Sequence, residues 1–432
     1  MMFEKYDAYK DSDVDWLGEI PANWSCIKMK FLYSDVSIKG RENAELLSVT
    51  QDKGVIPRAW VENRMVMPSG NLQSFKYIQK GDFAISLRSF EGGLEYCYHD
   101  GIISPAYTVL KKKRDDLEEG YYKYLFKSKI FISELQTSIV GIREGKNISY
   151  EELRYSYLPI PSETEQNKIS CFLDQKTAEI DQAIAIKEQQ IALLNERKQI
   201  VIQKAVTQGL NPNVAMKDSG VEWIGQIPEH WKIKKLKFIC KSQGRIGFKG
   251  YSSDDLVEAN EGALTLGATH LNWNGEIILD QPVYLNWKKY YESPEIMVKK
   301  DDILIVQRGS TCGKVAIVDK DYGEVTINPS LVLLKEFREN PYFCVESIKV
   351  VLNGILNEVS KTAIPMISQF QINNIQIALP PLEEQVFIVK KVQEVTAQYS
   401  EINKFILDEI IRLKEYKTTL INDAVTGKIK VA

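Results

Sequence analysis

Two stretches of the chain place their seam residues at alternating steps of four and three. The first runs through Leu173, Thr177, Ile180, Ile184, Lys187, Ile191, Leu194, Lys198, Val201 and Ala205. The second runs through Val392, Thr396, Tyr399, Asn403, Ile406, Ile410, Leu413, Lys417, Leu420 and Ala424. A 3.5-residue repeat is what lets two helices pair as a coiled coil. The pattern predicts long helices over 162–207 and 381–426. Both starts contain proline, with Glu165 and Glu384 near the positive end of the helix dipole. At 1.5 Å per residue, about 45 residues make a rod of roughly 65 Å, a spacer between globular heads. Lys187, Lys198, Asn403 and Lys417 interrupt the seam. Polar occupants of this kind weaken the pairing but fix its register and orientation.

Ahead of each helix the period changes to two. Phe83, Ile85 and Leu87, and again Ile303 and Ile305, alternate as strands do. Turn residues punctuate β-rich blocks over about 25–156 and 232–375. The expected fold class is therefore α+β, with two β-rich heads separated by two long antiparallel coiled-coil helices. The expected domains are a first head over 1–160, a central helix over 161–209, a second head over 210–379 and a C-terminal helix over 380–432.

The chain is also written twice. DSDVDWLGEIPANWSCIKMKF (11–31) and DSGVEWIGQIPEHWKIKKLKF (218–238) share eleven of twenty-one residues at an offset of 207. At an offset of 219, LPIPSETEQ (158–166) matches IALPPLEEQ (377–385), and AVTQG (205–209) matches AVTGK (424–428). The tryptophans that bracket the first repeat, Trp16 and Trp24, Trp223 and Trp231, are expected to pack as anchors. A looser echo pairs GDFAISLRSFEGG (81–93) with DDILIVQRGSTCG (301–313), aligning Asp82 with Asp302 and Arg88 with Arg308. Ile103-Ser104-Pro105 likewise resembles Ile327-Asn328-Pro329. After AVTQG the chain runs on into the second head, whereas after AVTGK it soon stops. The N-terminal KYDAYKDSDVDW resembles the missing continuation. A circular, pseudo-two-fold arrangement follows as an expectation, suited to a partner that itself has two parts.

Composition narrows the function. The 432 residues are 44% hydrophobic and 26% charged, so the chain is long and apolar enough for several cores. No apolar run approaches a membrane span, and the polar, acidic N-terminus is unlike a secretory signal. Six scattered cysteines without a CxxC pair fit a reducing cytoplasm. Three histidines leave little for metal or acid–base chemistry. Gly309–Lys314 is one residue short of a phosphate loop, and Val315 replaces its Ser or Thr. Asn340-Pro341-Tyr342-Phe343 lacks the second proline of the amino-methyltransferase base-gripping motif. No catalytic residues, cofactor or metal are expected, and the chain is read as a non-enzyme. The net charge of −3 argues mildly against nucleic acid, but Lys232–Lys249 carries seven basic residues and no acidic one. Such a run suits a phosphate-facing track.

Arg88 and Arg308 each follow a predicted strand, where a loop with Gly and Ser begins. An arginine so held suits bidentate recognition of guanine or phosphate. Taken with the WLGEIPANW/WIGQIPEHW, PSETEQ/PPLEEQ and AVTQG/AVTGK pairs, the whole chain resembles the DNA-specificity subunit of type I restriction–modification systems. The resemblance implies that each head is a target-recognition domain reading one half of a split double-stranded DNA site. It implies that the helices act as a ruler and dock two methyltransferase subunits, with a separate restriction and translocase subunit in the complex. It does not transfer base-contact residues, because the heads diverge. Residue type and loop position nominate Lys39, Arg41, Arg88, Ser89, Arg143 and Lys146 in the first head. In the second they nominate Arg245, Lys249, Gln307, Arg308, Ser310, Thr311 and Lys361. Two other readings are the recognition segment of a fused restriction–methyltransferase enzyme and a coiled-coil scaffold with no nucleic-acid role. The lack of catalytic motifs disfavours the first, and the paired arginine loops disfavour the second.

Overall fold

A computed structural model describes residues 3–61, 72–140, 147–245, 250–359 and 366–431 of the chain. The chain divides into two compact units, residues 1–189 with 406–432, and residues 190–405. It is a mixed α+β fold with two long helices, Glu163–Gln208 (the central helix) and Leu382–Val425 (the C-terminal helix). Both ends lie within one residue of those the heptad pattern predicts. Gly209 (φ +77°) and Gly427 (φ +73°) stop them by taking the left-handed conformation that other residues avoid.

The first unit is built on a four-stranded antiparallel sheet ordered Tyr33–Asp35, Thr108–Lys112, Phe83–Ile85, Glu95–Tyr96. The second has the same order in Lys241–Gly244, Leu331–Lys335, Ile303–Val306, Val315–Ile317. The period-two segments thus occupy equivalent inner strands, fully buried on both faces. Asp82 and Asp302 open those strands and accept from the backbone N–H three residues earlier, of Gln79 and Lys299, at 2.8 Å each. Burial pushes the Asp82 carboxyl up to about 6 and raises that of Asp302. The second unit adds a sheet in which Gly262–Leu266 runs parallel to Val325–Ile327.

Each repeat motif has a packing role. The strand after the Trp segment pairs antiparallel with the one leading into the long helix, Ser25–Lys28 with Tyr157–Ile160 and Lys232–Lys235 with Gln376–Leu379. The PSETEQ and PPLEEQ glutamines are the rivets. The Gln166 carboxamide accepts from Glu118 N–H (2.8 Å) and donates to the Asp116 and Pro161 carbonyls. Gln385 accepts from Asn340 N–H (3.0 Å) and donates to Pro380 O and Glu339 Oε2. Of the four repeat tryptophans, only Trp24 and Trp231 are core anchors. Trp16 is half-buried, its ring edge-on to Phe131 at 5.7 Å, and Trp223 is exposed. Gly209 lies against Pro228 and Trp231 in the second unit, and Gly427 against Pro21 and Trp24 in the first. The C-terminal segment therefore closes the first unit, where Lys430 also bridges Glu4.

The predicted seam is the less exposed face of both helices. Leu173, Thr177, Ile180, Ile184 and Ala205 are buried on one, and Val392, Ile406, Ile410, Leu420 and Ala424 on the other. Three of the polar occupants, Lys187, Lys417 and Asn403, find partners across it. In the first unit Lys187 pairs with Glu409 (2.6 Å) and Lys417 with Asp181 (2.6 Å). A forward step on one helix meets a backward step on the other, so the pairing is antiparallel. In the second unit Asn403 Nδ2 donates to Asn195 Oδ1 (2.8 Å). Part-exposed ion pairs are worth about 0–1 kcal/mol, so their contribution is orientation more than stability. No described helix is long and apolar enough to cross a membrane.

Candidate nucleic-acid interface

Strand register decides which loops share an end of each sheet. In the second unit Val306 pairs with Leu331, and Gly244 with Val332. The loops following Val306 and Gly244, and the loop before Leu331, therefore emerge together. Arg308 is exposed there, beside Gln307, Ser310 and Thr311. The Gln307 side chain donates to Pro329 O (3.0 Å), and its backbone carbonyl accepts from Ile367 N–H (2.8 Å). Asn328 turns the neighbouring loop by accepting from Ser330 N–H (2.9 Å).

The first unit repeats the arrangement. Ile85 pairs with Thr108, so exposed Arg88 lies beside the Ser104–Tyr107 turn. Ser104 Oγ accepts from Ala106 N–H (3.3 Å), as Asn328 does from Ser330. The resemblance of Ile103-Ser104-Pro105 to Ile327-Asn328-Pro329 therefore reflects one turn used twice. Strand Tyr33–Asp35 points to the same end and continues through Val36, bonded to Val109 O, towards exposed Lys39 and Arg41. The Arg41 guanidinium stacks 4.1 Å above the Tyr77 ring, and Lys76 Nζ donates to Tyr107 O (2.6 Å).

Not every nominated residue is free to read a ligand. Ser89 is fully buried, its hydroxyl accepting from Ser86 N–H (2.8 Å), so it shapes the Arg88 loop from inside. Arg245 is buried and donates to Ile327 O (3.0 Å) and Thr326 Oγ1 (3.1 Å). Its guanidinium fastens the segment after Gly244 to the strand Val325–Ile327, and burial lowers its pKa from the ordinary value. Arg143, Lys146, Lys249 and Lys361 lie outside the described residues. The Lys232–Lys249 run is divided rather than continuous. Lys232–Lys235 and Lys241–Gly244 belong to different sheets, and Lys234 and Lys241 pair with Glu339 and Glu336. Asn340-Pro341 is a helix cap, with Asn340 Oδ1 accepting from Tyr342 N–H at 2.9 Å.

Comparison with known proteins bears on this geometry. Residues 228–412 match the family described as the type I restriction modification DNA specificity domain. The type I restriction enzyme MjaVIII specificity subunit of Methanocaldococcus jannaschii is 28% identical over 77% of this chain and 75% of its own. The EcoBI specificity subunit of Escherichia coli is 20% identical over 84% of this chain and 76% of its own. Residues 228–412 carry a type I restriction modification DNA specificity domain, and the chain as a whole is similar to specificity subunits of these systems. Solved structures agree on the fold. A chain from a structure described as the basis of complex assembly and conformational transition of the type I R-M system superposes with a TM-score of 0.69. It is 14% identical and covers 94% of this chain and 98% of itself. The HsdS subunit from Thermoanaerobacter tengcongensis gives 0.52 at 15% identity, over 95% and 98%.

The specificity-family fold brings forward residues that motif reading missed. Lys314 closes the Arg308 loop, its ammonium bonded to Leu271 O (2.7 Å) and set over the exposed Trp273 ring. Gln51 Nε2 donates to Arg88 O (3.3 Å). Lys76 and Gln369 also border the two sites, and Gln369 Nε2 donates to Ser242 O (2.9 Å). Only Lys314 carried a sequence signal, as the lysine ending the near-phosphate-loop. The others are brought in by strand pairings remote in sequence.

Proposed function

We propose that this specificity subunit reads a two-part double-stranded DNA target, one part through each unit, and directs partner subunits without chemistry of its own. One observation carries the reading. Both units build the same sheet, and at the same end of it an exposed arginine stands beside the same Ser/Asn-Pro turn. A rigid strand that delivers a guanidinium to a loop mouth is suited to a base edge in the major groove. Sequence differences between the two sites, such as Gln307 against Leu87, suit two different half-sites.

The partners on this reading are two methyltransferase subunits and the restriction and translocase subunits, in the cytoplasm with the DNA. The central helix supports docking. Ile186, Leu193 and Ile200 are exposed at seven-residue spacing, off the coiled-coil seam. Such a stripe is costly to leave in water and suits a partner helix. The domains are proposed as 1–160 and 210–379 for recognition, with 161–209 and 380–432 as spacers between half-sites. Co-expression with a methyltransferase of such a system, followed by genome-wide methylation mapping, tests the function. A split motif modified in both halves is the expected result, with two methyltransferases per chain. Methylation of a continuous, one-part motif refutes the two-part reading.

A further inference from the structure

Glu95 is fully buried in the first unit, on the strand that flanks the one delivering Arg88. A carboxylate in such a place requires a charge beside it. Lys127 Nζ supplies that charge at 2.6 Å from Glu95 Oε2, an ion-pair contact rather than an aligned hydrogen bond. The same ammonium donates to Gln51 O and to Gly92 O, each at 2.9 Å. Gly92 ends the short helix that begins at Ser89, immediately after Arg88. Gln51 holds the other side of the loop through Arg88 O. One lysine therefore grips both strips of backbone that define the Arg88 loop.

Two further features mark the node as built for close fit. Gly93 takes a φ of +78°, and a Cβ there would collide with the Phe126 carbonyl oxygen. That carbonyl also accepts from Leu94 N–H at 3.2 Å. The loop is thus pinned to the 126–127 backbone as well as to the Lys127 side chain. The second unit lacks the charge. Ala84 pairs with Glu95 in the first sheet, and at the equivalent pairing Leu304 faces Ala316.

We propose that Glu95 and Lys127 form an electrostatic latch that positions the Arg88 loop, so that half-site discrimination by the first unit, and not by the second, depends on the charge of Glu95. Both are positioning residues, acting through Arg88. The inference rests on the DNA-reading function proposed above. Bidentate recognition tolerates little displacement, so a slackened loop loses discrimination before it loses general affinity.

The charged groups facing Glu95 are Lys127, two residues past the helix Glu119–Leu125, and Asp52, from the turn after Leu47–Thr50. The paired strand presents Ala84. Burial dominates and pushes the Glu95 carboxyl up to about 7, against the pull of Lys127. Above that pH the latch is ionic and tight. Below it Glu95 is neutral, and Lys127 keeps only its carbonyl contacts. The stability consequence has the opposite sign. A carboxyl raised by folding favours the fold where it is protonated, and that contribution is lost as pH rises through 7. Glu95→Gln is therefore expected to fold at pH 8 at least as well as wild type, which separates loss of the latch from unfolding.

The test uses the full chain bound to its methyltransferase partners and duplexes carrying the mapped target or one base change in either half. Discrimination, the ratio of affinities, is measured from pH 6 to 8. Wild type is expected to lose about tenfold of discrimination at one half-site as pH falls, the scale of one good base contact. The other half-site should stay flat. Glu95→Gln and Lys127→Met should give the low value at every pH, and Lys127→Arg should restore most of it. Identical profiles for wild type and Glu95→Gln, or equal change at both half-sites, would overturn the latch. If wild type discriminates at neither half-site, the DNA-reading function fails and the latch with it. Discrimination that is present but blind to Glu95 removes the latch alone.

Discussion

At the scale of single residues, the two arginines and the two glutamines do different work. Arg88 and Arg308 are exposed at loop mouths, so on the proposed reading their loss removes contacts to DNA and costs little folding energy. Arg88→Ala should relax recognition of one half-site and Arg308→Ala the other, by about 1–3 kcal/mol each. Methylation mapping of each variant reports this directly. Equal weakening of all DNA would mark them as phosphate contacts instead. Gln166 and Gln385 are buried, and each satisfies three polar groups that become neighbours only in the fold. Gln166→Ala strands Glu118 N–H and the Asp116 and Pro161 carbonyls and should cost about 3 kcal/mol. For a unit of this size that lowers the melting midpoint by roughly 6–12 °C. A midpoint within a degree of wild type by calorimetry would show that water replaces the amide there.

At the scale of elements, what was legible depended on whether the determining contacts were local. The heptad seam was legible because a helix presents its pattern within a few residues. Lys187 and Lys417, breaks in that pattern, proved to be the residues that pair with Glu409 and Asp181 across it. The inner strands were legible from alternation at Phe83–Ile85 and Ile303–Ile305. The site was only half legible. Arg88 and Arg308 could be nominated because a strand and a loop adjoin them in sequence. Gln51, Lys76 and Gln369 could not, since pairings far apart in the chain bring them there. Arg245 shows the converse error, because residue type alone does not distinguish a guanidinium that reads a ligand from one that ties a loop to a strand. Ser89 was misplaced for the same reason, its hydroxyl being consumed by Ser86 N–H.

At the scale of the whole molecule, the decisive property is that each long helix belongs to both units. The central helix gives residues up to Gln189 to the first and the rest to the second, and the C-terminal helix changes over between Phe405 and Ile406. If this pair is the ruler between half-sites, its length must appear in the DNA target. Removing a heptad from one helix alone would break the seam register between the two helices, so it tests stability rather than spacing. The clean change removes Gln190–Glu196 together with Ile402–Asp408. Asn195 and Asn403 leave as a pair, while both lysine ion pairs and the seam periodicity survive. Seven residues shorten a helix by about 10 Å, or about three base pairs of DNA. The co-expressed variant should therefore methylate the same two half-site sequences with a spacer about three base pairs shorter. An unchanged spacer in the methylation map would mean that the coiled coil joins the units without measuring the distance between their targets.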